Sequence, residues 1–251
     1  MRVLEINAVP YGSTAKIMLG IADVAKQDSG IQIYTSSGYS THPIKNLPKK
    51  YFQIGSIISK SAHKIASTVT GFDGCFSYFT TKKFIGKIKK LKIDILHLHN
   101  LHCYYINLPL LFKYIKKYNV PVVWTLHDCW AFTGHCPHFT IEKCEKWKEH
   151  CFKCPQYRKY PKSLFDNSKK MFRLKKEWFT GVKNLTIVTP SQWLADLVKQ
   201  SFLKDYPIKV IHNGIDLTVF KPTPSDFRKK YGIPENKFIL LGVAFGQLDM
   251  Y

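Results

Sequence analysis

The sequence predicts an α/β protein, a mostly parallel sheet with helices on both faces and a cysteine-rich loop inserted in it. Three observations carry this. Short β-branched runs alternate with segments of helical spacing along most of the chain, the pattern of successive βαβ units. The 251 residues are 45% hydrophobic, enough for one good core. No apolar run approaches the length needed to cross a bilayer.

Taken in order, Val3 to Asn7 is the first strand, Ser13 to Lys26 a helix and Ile31 to Ser36 a second strand. Tyr51 to Thr70 is helical in part, and Phe79 to Leu91 is a helix. Ile93 to Leu98 is a strand, Leu108 to Tyr118 a helix and Val122 to Leu126 a buried strand. The β-branched run Leu185 to Val188 closes on Thr189 and Pro190. Ser191 then N-caps a helix over Gln192 to Ser201 whose buried face is Trp193, Leu194, Leu197 and Val198. Ile208 to Ile211 is the next strand. Asn213-Gly214 signals a turn because both residues tolerate positive φ. Phe220, Pro222 and Pro224 form a stiff, extended connection, and Phe238 to Ala244 reads as one more strand. There is no internal repeat.

Lys and Arg outnumber Asp and Glu by 38 to 17, a formal charge of +21. Nucleic acid, an anionic membrane face or a phosphorylated substrate could each select such a field. The sequence carries no helix-turn-helix or RNP pattern, so nucleic acid is not expected as a partner. Lys82 to Lys92 places Phe84, Ile85, Ile88 and Leu91 along one helical face among lysines. Such a helix either packs its stripe on the sheet or lies on an anionic membrane, and packing is the favoured reading. The opening MRVLEINAV reads as a strand, so neither signal peptide nor transmembrane helix is expected. A cytoplasmic location follows, with transient contact at the inner membrane face.

Four segments carry candidate chemistry. The loop PYGSTAKI opens the first helix, with Gly12 at the turn and Ser13 or Thr14 able to cap; a helix start there can hold an anion or hydroxyls. In IDILHLHN, alternation puts His97 and His99 on one side. His99, Asn100 and His102 fall at the carboxyl end of the strand, where ligands of open α/β sheets gather. His97 reads as a structural histidine. In VVWTLHDCWAFTGHC, His127 and Asp128 end an apolar strand at the same edge. A neutral imidazole there can bond a hydroxyl or a developing charge, and Asp128 can orient a ring or cap the loop. The fourth segment holds Cys136, Cys144, Cys151 and Cys154, four of the seven cysteines. In a reducing compartment four thiolates suit a closed, structural zinc site better than disulfides, with free thiols as the alternative. Cys75, Cys103 and Cys129 read as small buried residues.

The stretch TPSQWLADLVKQS followed by VIHNGID and a phenylalanine resembles the end of the N-terminal domain and the interdomain crossover of retaining GT-B glycosyltransferases, family four. The resemblance covers Met1 to about Ala244 and is closest to enzymes of bacterial surface-polysaccharide assembly. It implies a Rossmann-like acceptor-side domain over 1–222, with the cysteine-rich insertion at 133–160. Residues 223–251 would be a linker and the truncated start of a donor-binding domain. It implies a nucleotide-sugar donor (UDP- or GDP-linked) and a saccharide or lipid-linked acceptor. His127 would contact the donor sugar at the reaction centre. Gly12, Ser13, Thr14, His99, Asn100, Asp128, Ser191 and Asn213 would face substrate. The E-x7-E segment of the family's second domain is not in the sequence, so the chain alone is expected to show negligible transfer. Two other readings stay open: a partner-binding half of a split transferase, and a basic zinc-containing module for nucleic acid.

Overall fold

The computed structural model describes residues 1–41, 47–240 and 242. They fall into two compact units, 1–213 and 214–251. The first unit carries one sheet of strands β1 (Arg2–Asn7), β2 (Gln32–Gly38), β3 (Tyr51–Ile54), β4 (Ile95–Leu98), β5 (Val122–Thr125), β6 (Leu185–Thr189) and β7 (Ile208–Val210). All pairings are parallel, in the order β3-β2-β1-β4-β5-β6-β7. The helices are α1 (Gly12–Ala25), α2 (Ile57–Thr70), α3 (Tyr78–Leu91), α4 (Leu108–Tyr118), α5 (Ser168–Phe179) and α6 (Gln192–Val198). In the second unit α7 (Phe227–Lys230) is a single turn.

Strands sandwiched between helix layers read as continuous apolar runs. Leu4, Ile6, Leu96, Leu98, Val122, Trp124, Leu185 and Ile187 are accordingly all buried. The chain lays down β1, β2 and β3 in one direction, then returns to place β4 against the other side of β1. Right-handed crossovers put α1 on one face and the later helices on the other. On that second face α4 packs against both α3 and α5. The centre of the layer is aromatic: Trp124 lies 5.7 Å from Phe112 and 4.9 Å from Phe179, ring centre to ring centre.

Several sequence expectations need correction. Tyr51–Ile54 is strand, and the helix begins only after Gly55, where Ser56 and Ser59 form a reciprocal capping box. Helix α1 is capped by neither Ser13 nor Thr14; its N-cap position is Tyr11, with no side-chain cap bond. Trp193 is 58% exposed, so the inner face of α6 rests on Leu194, Ala195 and Val198. Neither Asn213 nor Gly214 adopts positive φ; both run without regular structure. Residues 238–240 form no strand, and 241 and 243–251 lie outside the described residues. Helix α5 was not foreseen. In α3, Phe84, Ile85 and Ile88 are buried, which is the packing reading of that basic segment.

Candidate active site

The reversal of strand order between β1 and β4 opens a crevice at the carboxyl edge, the usual ligand position in open parallel sheets. Register places Glu5 beside His97, and His97 beside Val123. A line of polar side chains results. His97 meets Glu5 Oε1 through Nδ1 at 3.2 Å and Thr125 Oγ1 through Nε2 at 2.8 Å. His99 approaches Glu5 Oε2 through Nε2 at 3.6 Å and meets His127 Nε2 through Nδ1 at 3.0 Å. The His99 and His127 rings stack, with centres 5.3 Å apart and 13° between planes.

Glu5 determines how this line is protonated. Burial works to raise its pKa, but the hydrogen bond from His97 and the nearby His99 ring outweigh burial and lower it, so Glu5 is a carboxylate at neutral pH. Burial holds His99 below its ordinary value, and burial together with His99 pushes His127 down to about 4. Both rings are therefore neutral, with one N–H each. The carboxylate lies 3.6 Å from His99 Nε2, too long for a hydrogen bond, and its charge favours the N–H on that nitrogen, leaving His99 Nδ1 as an acceptor. His127 must then donate from Nε2, and its Nδ1 keeps a lone pair. The half-buried His127 thus offers a proton acceptor of fixed orientation. The nitrogens and oxygens of Glu5, His97 and His99 lie within 4.8 Å of one another, a spacing that also suits a metal. The 3.2 Å contact is hydrogen-bond spacing, with the ring nitrogen facing the carboxylate itself, and we read the group as a hydrogen-bonded relay.

A second, charged group adjoins it. His102 meets Asp128 Oδ2 through Nε2 at 3.0 Å and Cys103 Sγ through Nδ1 at 3.0 Å, while Tyr160 Oη lies 3.2 Å from that Nδ1. Burial opposes charge on His102, yet Cys103 and Asp128 outweigh it and raise its pKa well above the usual value. Asp128 and Cys103 are both lowered: burial opposes this, and His102 supplies the larger, opposite effect. Cys103 and Tyr104 hold φ of 82° and 66°, left-handed values uncommon for such residues. Cys103 is thus no inert core thiol, contrary to the sequence reading.

Of the sequence candidates, the structure brings together His99, Asn100, Thr14, His127 and Asp128. Asn7, at the end of β1, ties three of the segments: its Nδ2 donates to Thr14 Oγ1 at 3.1 Å, and its Oδ1 accepts from the Asn100 amide at 3.2 Å. Gly12 sits at the start of α1 with φ of 81°, a value that glycine adopts freely; Ser13 is exposed beside it. Asp128 bonds His102 and caps the Trp130 amide at 2.8 Å. Ser191 caps α6 through the Leu194 amide, one strand further along the edge. Asn213 is exposed. Glu5, Asn7, Thr125, Cys103 and Tyr160 were missed. For Glu5 the signal existed: a carboxylate between Leu4 and Ile6 in a strand expected to be buried on both faces.

The neutral histidines make stability pH-dependent. His63, in α2, is held at about 4 by burial, as His127 is by burial and His99. Unfolded, each titrates near 6.5. Between pH 6.5 and 4 the unfolded chain binds more protons, so this stability is complete above 6.5 and is lost as pH falls through the window. His102 acts oppositely: its contribution is present below 6.5 and lost as pH rises through its raised folded value. His135 is likewise held at about 4 by burial, so with His63, His99, His127 and His135 against one, urea unfolding at pH 5 is expected to give a stability at least about 2 kcal/mol below that at pH 7. Equal stability at the two pH values would contradict the neutral relay.

Comparison with known proteins follows this geometry. Residues 59–219 match the family described as Glycosyltransferase Family 4. A curated relative, the putative colanic acid biosynthesis glycosyl transferase WcaC of Escherichia coli (strain K12), is 36% identical over 130 residues, covering 49% of this chain and 31% of that protein. Among solved structures, sucrose-phosphate synthase from Thermosynechococcus elongatus superposes with a TM-score of 0.55 at 12% identity, over 94% of this chain and 53% of that one. A ugt transferase from Siraitia grosvenorii in complex with UDP gives a TM-score of 0.43 at 12% identity, over 91% and 51%. The chain thus spans less than a third of the curated relative and about half of these two structures.

Proposed function

The chain belongs to glycosyltransferase family 4, and on that premise we propose that it forms the acceptor-side half of a retaining transferase of polysaccharide assembly. That transferase moves a sugar from a UDP- or GDP-linked donor to a lipid-linked saccharide. The observation that carries this reading is the oriented neutral His127, its lone pair fixed through His99 by the buried Glu5. A sugar hydroxyl donates to His127 Nδ1, and the bond sets the ring of the sugar against the leaving phosphate. The loop Gly12 to Thr14 and the Asn7 and Asn100 pair form the adjoining wall. In such a site the protein's contribution is positioning and preorganised polarity, with no pair of carboxylates needed for proton transfer. The donor nucleotide is held by a second domain of the same fold.

The lipid-linked acceptor is suggested by α2. The helix turns His63 and Ser67 inward and carries Ile58 and Ile65 outward, 78% and 66% exposed. Ile58, Ala62, Ile65 and Val69 share one face by helical spacing. Phe79, at the start of α3, is 82% exposed, and Lys64, Lys82 and Lys83 are exposed as well. Apolar side chains among lysines suit an anionic bilayer surface. Sedimentation with phosphatidylglycerol vesicles is expected to pull the chain down, and the double substitution Ile58→Glu, Ile65→Glu to release it. Equal pelleting of both would remove this support for a membrane-borne acceptor.

Calorimetry against a panel of nucleotide-sugars tests the main reading. The 251-residue chain is expected to show no tight donor binding. A longer chain supplying the second half of the fold should bind and turn over one donor, with turnover lost in His127→Ala. Tight donor binding by the 251 residues alone would overturn the assignment of this unit to the acceptor side.

A further inference from the structure

We infer that Cys136, Cys144, Cys151 and Cys154 hold a structural zinc ion that locks the loop between β5 and α5 against the sheet edge. Between Thr133 and Asn167 the only regular structure is one short 3-10 turn, Lys146–Lys148. A segment of this length without helix or strand needs some other source of order. Part comes from packing: the Phe139 and Trp147 rings stack at 4.7 Å, and Phe132 lies 5.3 Å from Trp147. The rest converges on one point.

All four sulfurs line a single cavity of about 20 Å³, room for an ion or a water and nothing larger. The Cys136 and Cys154 thiols face each other. Lys143 and Lys153, each immediately before a cysteine of the set, hold φ of 47° and 44°. That left-handed step turns the backbone just ahead of Cys144 and Cys154. The Gly134 amide donates to Cys151 Sγ at 3.2 Å. A side chain at Gly134 would put its Cβ 2.3 Å from Ser168 O and 2.7 Å from Cys151 Cβ, so the close approach requires glycine.

The independent sign of a missing charge is the set of donors round the same cavity. Trp147 and Ser168 both line it, are 1% exposed, and leave Trp147 Nε1 and Ser168 Oγ with no hydrogen-bond partner. Leaving such groups unmatched costs roughly 1–3 kcal/mol each. Neutral thiols are weak acceptors and do little for them. Thiolates on a metal carry negative charge and accept N–H and O–H donors, as Cys151 already does from Gly134. Lys175 is buried nearby: it is 1% exposed, donates to Trp130 O at 2.8 Å, lies 3.4 Å over the Trp130 ring, and burial pushes its pKa down to about 7 despite Asp73. An anionic tetrathiolate would add to Asp73 in favouring its charged form.

The chemistry balances without a redox step: four thiols release four protons to solvent and four thiolates bind Zn²⁺ with net charge −2. Among the described residues no three of these sulfurs lie within 4.8 Å of one another, so the site is not closed as it stands and zinc binding would have to draw the four cysteines together round the cavity they share. Four sulfur ligands leave no open coordination position, and the ion shapes rather than reacts. Its reach to the crevice is short in sequence: Tyr160, which contacts Cys103 and His102, follows the last ligand in the same loop.

The test is metal analysis of the reduced, purified chain by mass spectrometry, followed by exchange with Co²⁺. Stoichiometric zinc, and intense sulfur-to-cobalt charge-transfer bands with the visible bands of a tetrahedral site, are expected. Cys144→Ser and Cys154→Ser should lower the metal content to background, and Cys75→Ser should leave it unchanged. Because the loop variants could fail to fold, the native chain is also stripped with chelator and titrated with zinc. Recovery of thermal stability at one equivalent supports the site. Metal-free native protein whose stability ignores added zinc, or disulfides joining these cysteines with no cobalt bands, overturns it.

Discussion

Trp124→Ala is expected to lower the unfolding free energy of the chain by about 3–5 kcal/mol, measured by urea denaturation, the range for truncating a buried aromatic residue. Trp124 is 1% exposed in the interior strand β5, and its ring is packed against Phe112 and Phe179. Those two rings approach each other to 4.7 Å, so removing the indole opens a cavity whose walls are already in contact and cannot easily close it. The indole also donates from Nε1 to the His99 carbonyl at 3.0 Å, in a buried setting. Trp124→Phe separates the two roles. It keeps most of the ring and leaves the His99 carbonyl without its donor, at a cost of roughly 1–3 kcal/mol. The phenylalanine variant is also expected to loosen the His99 backbone. A cost below about 1 kcal/mol for Trp124→Ala would mean that the aromatic layer does not carry the core.

The same residue shows what can be read from the sequence. VVW in β5 is apolar because the strand lies between two helix layers, and the mainly apolar runs ILHL in β4 and LTIVT in β6 are legible for the same reason. Strand β3 escaped because YFQI is short and sits at the sheet edge, half-exposed, next to a convincing helix. Helix α5 escaped because its lysines dominate SKKMFRLKKEWF, although Met171, Phe172, Lys175, Trp178 and Phe179 all point inward. Lysine at a core position has no sequence signature; only the fold shows that its stem is enclosed and its ammonium rests on Trp130. In the crevice, His99 and His127 were visible because they follow strands directly. Their partner was not, since Glu5 lies 92 residues from His97 in sequence and only parallel pairing makes them neighbours. Cys103 was misread for a related reason. Its contact with Tyr160 depends on two consecutive left-handed residues that no local rule would assign to Cys and Tyr.

Glu5→Gln is expected to reverse the hydrogen-bond direction along the relay, with little change in shape. The native carboxylate is hydrogen-bonded to His97 at 3.2 Å and faces His99 Nε2 at 3.6 Å, where its charge sets the side that carries the proton. An amide accepts on one side only and donates on the other. Where its NH₂ faces His99 Nε2, that nitrogen must become an acceptor and the proton moves to His99 Nδ1. His127 Nε2 then accepts, and its proton moves to Nδ1, the atom that in the native chain holds the lone pair. Nitrogen-15 spectra of the imidazoles read this directly on the 251-residue chain: His127 should be protonated at Nε2 in the native protein and shift toward Nδ1 protonation in Glu5→Gln. In a chain carrying both halves of the fold, turnover should fall about 10–100-fold, the scale seen when an outer partner of a ligating histidine is removed. Substrate affinity should change less, because the wall formed by Asn7, Thr14 and Asn100 is untouched. The tautomer separates orientation from mere stability: a residue that only supported the fold would leave His127 protonated at the same nitrogen. An unchanged His127 in Glu5→Gln, or Nδ1 protonation already in the native chain, would refute the relay. Glu5→Ala tests the charge rather than its direction. With the carboxylate gone, nothing holds His97 and His99 in a common orientation, and the His127 signal should report a mixture of both tautomers.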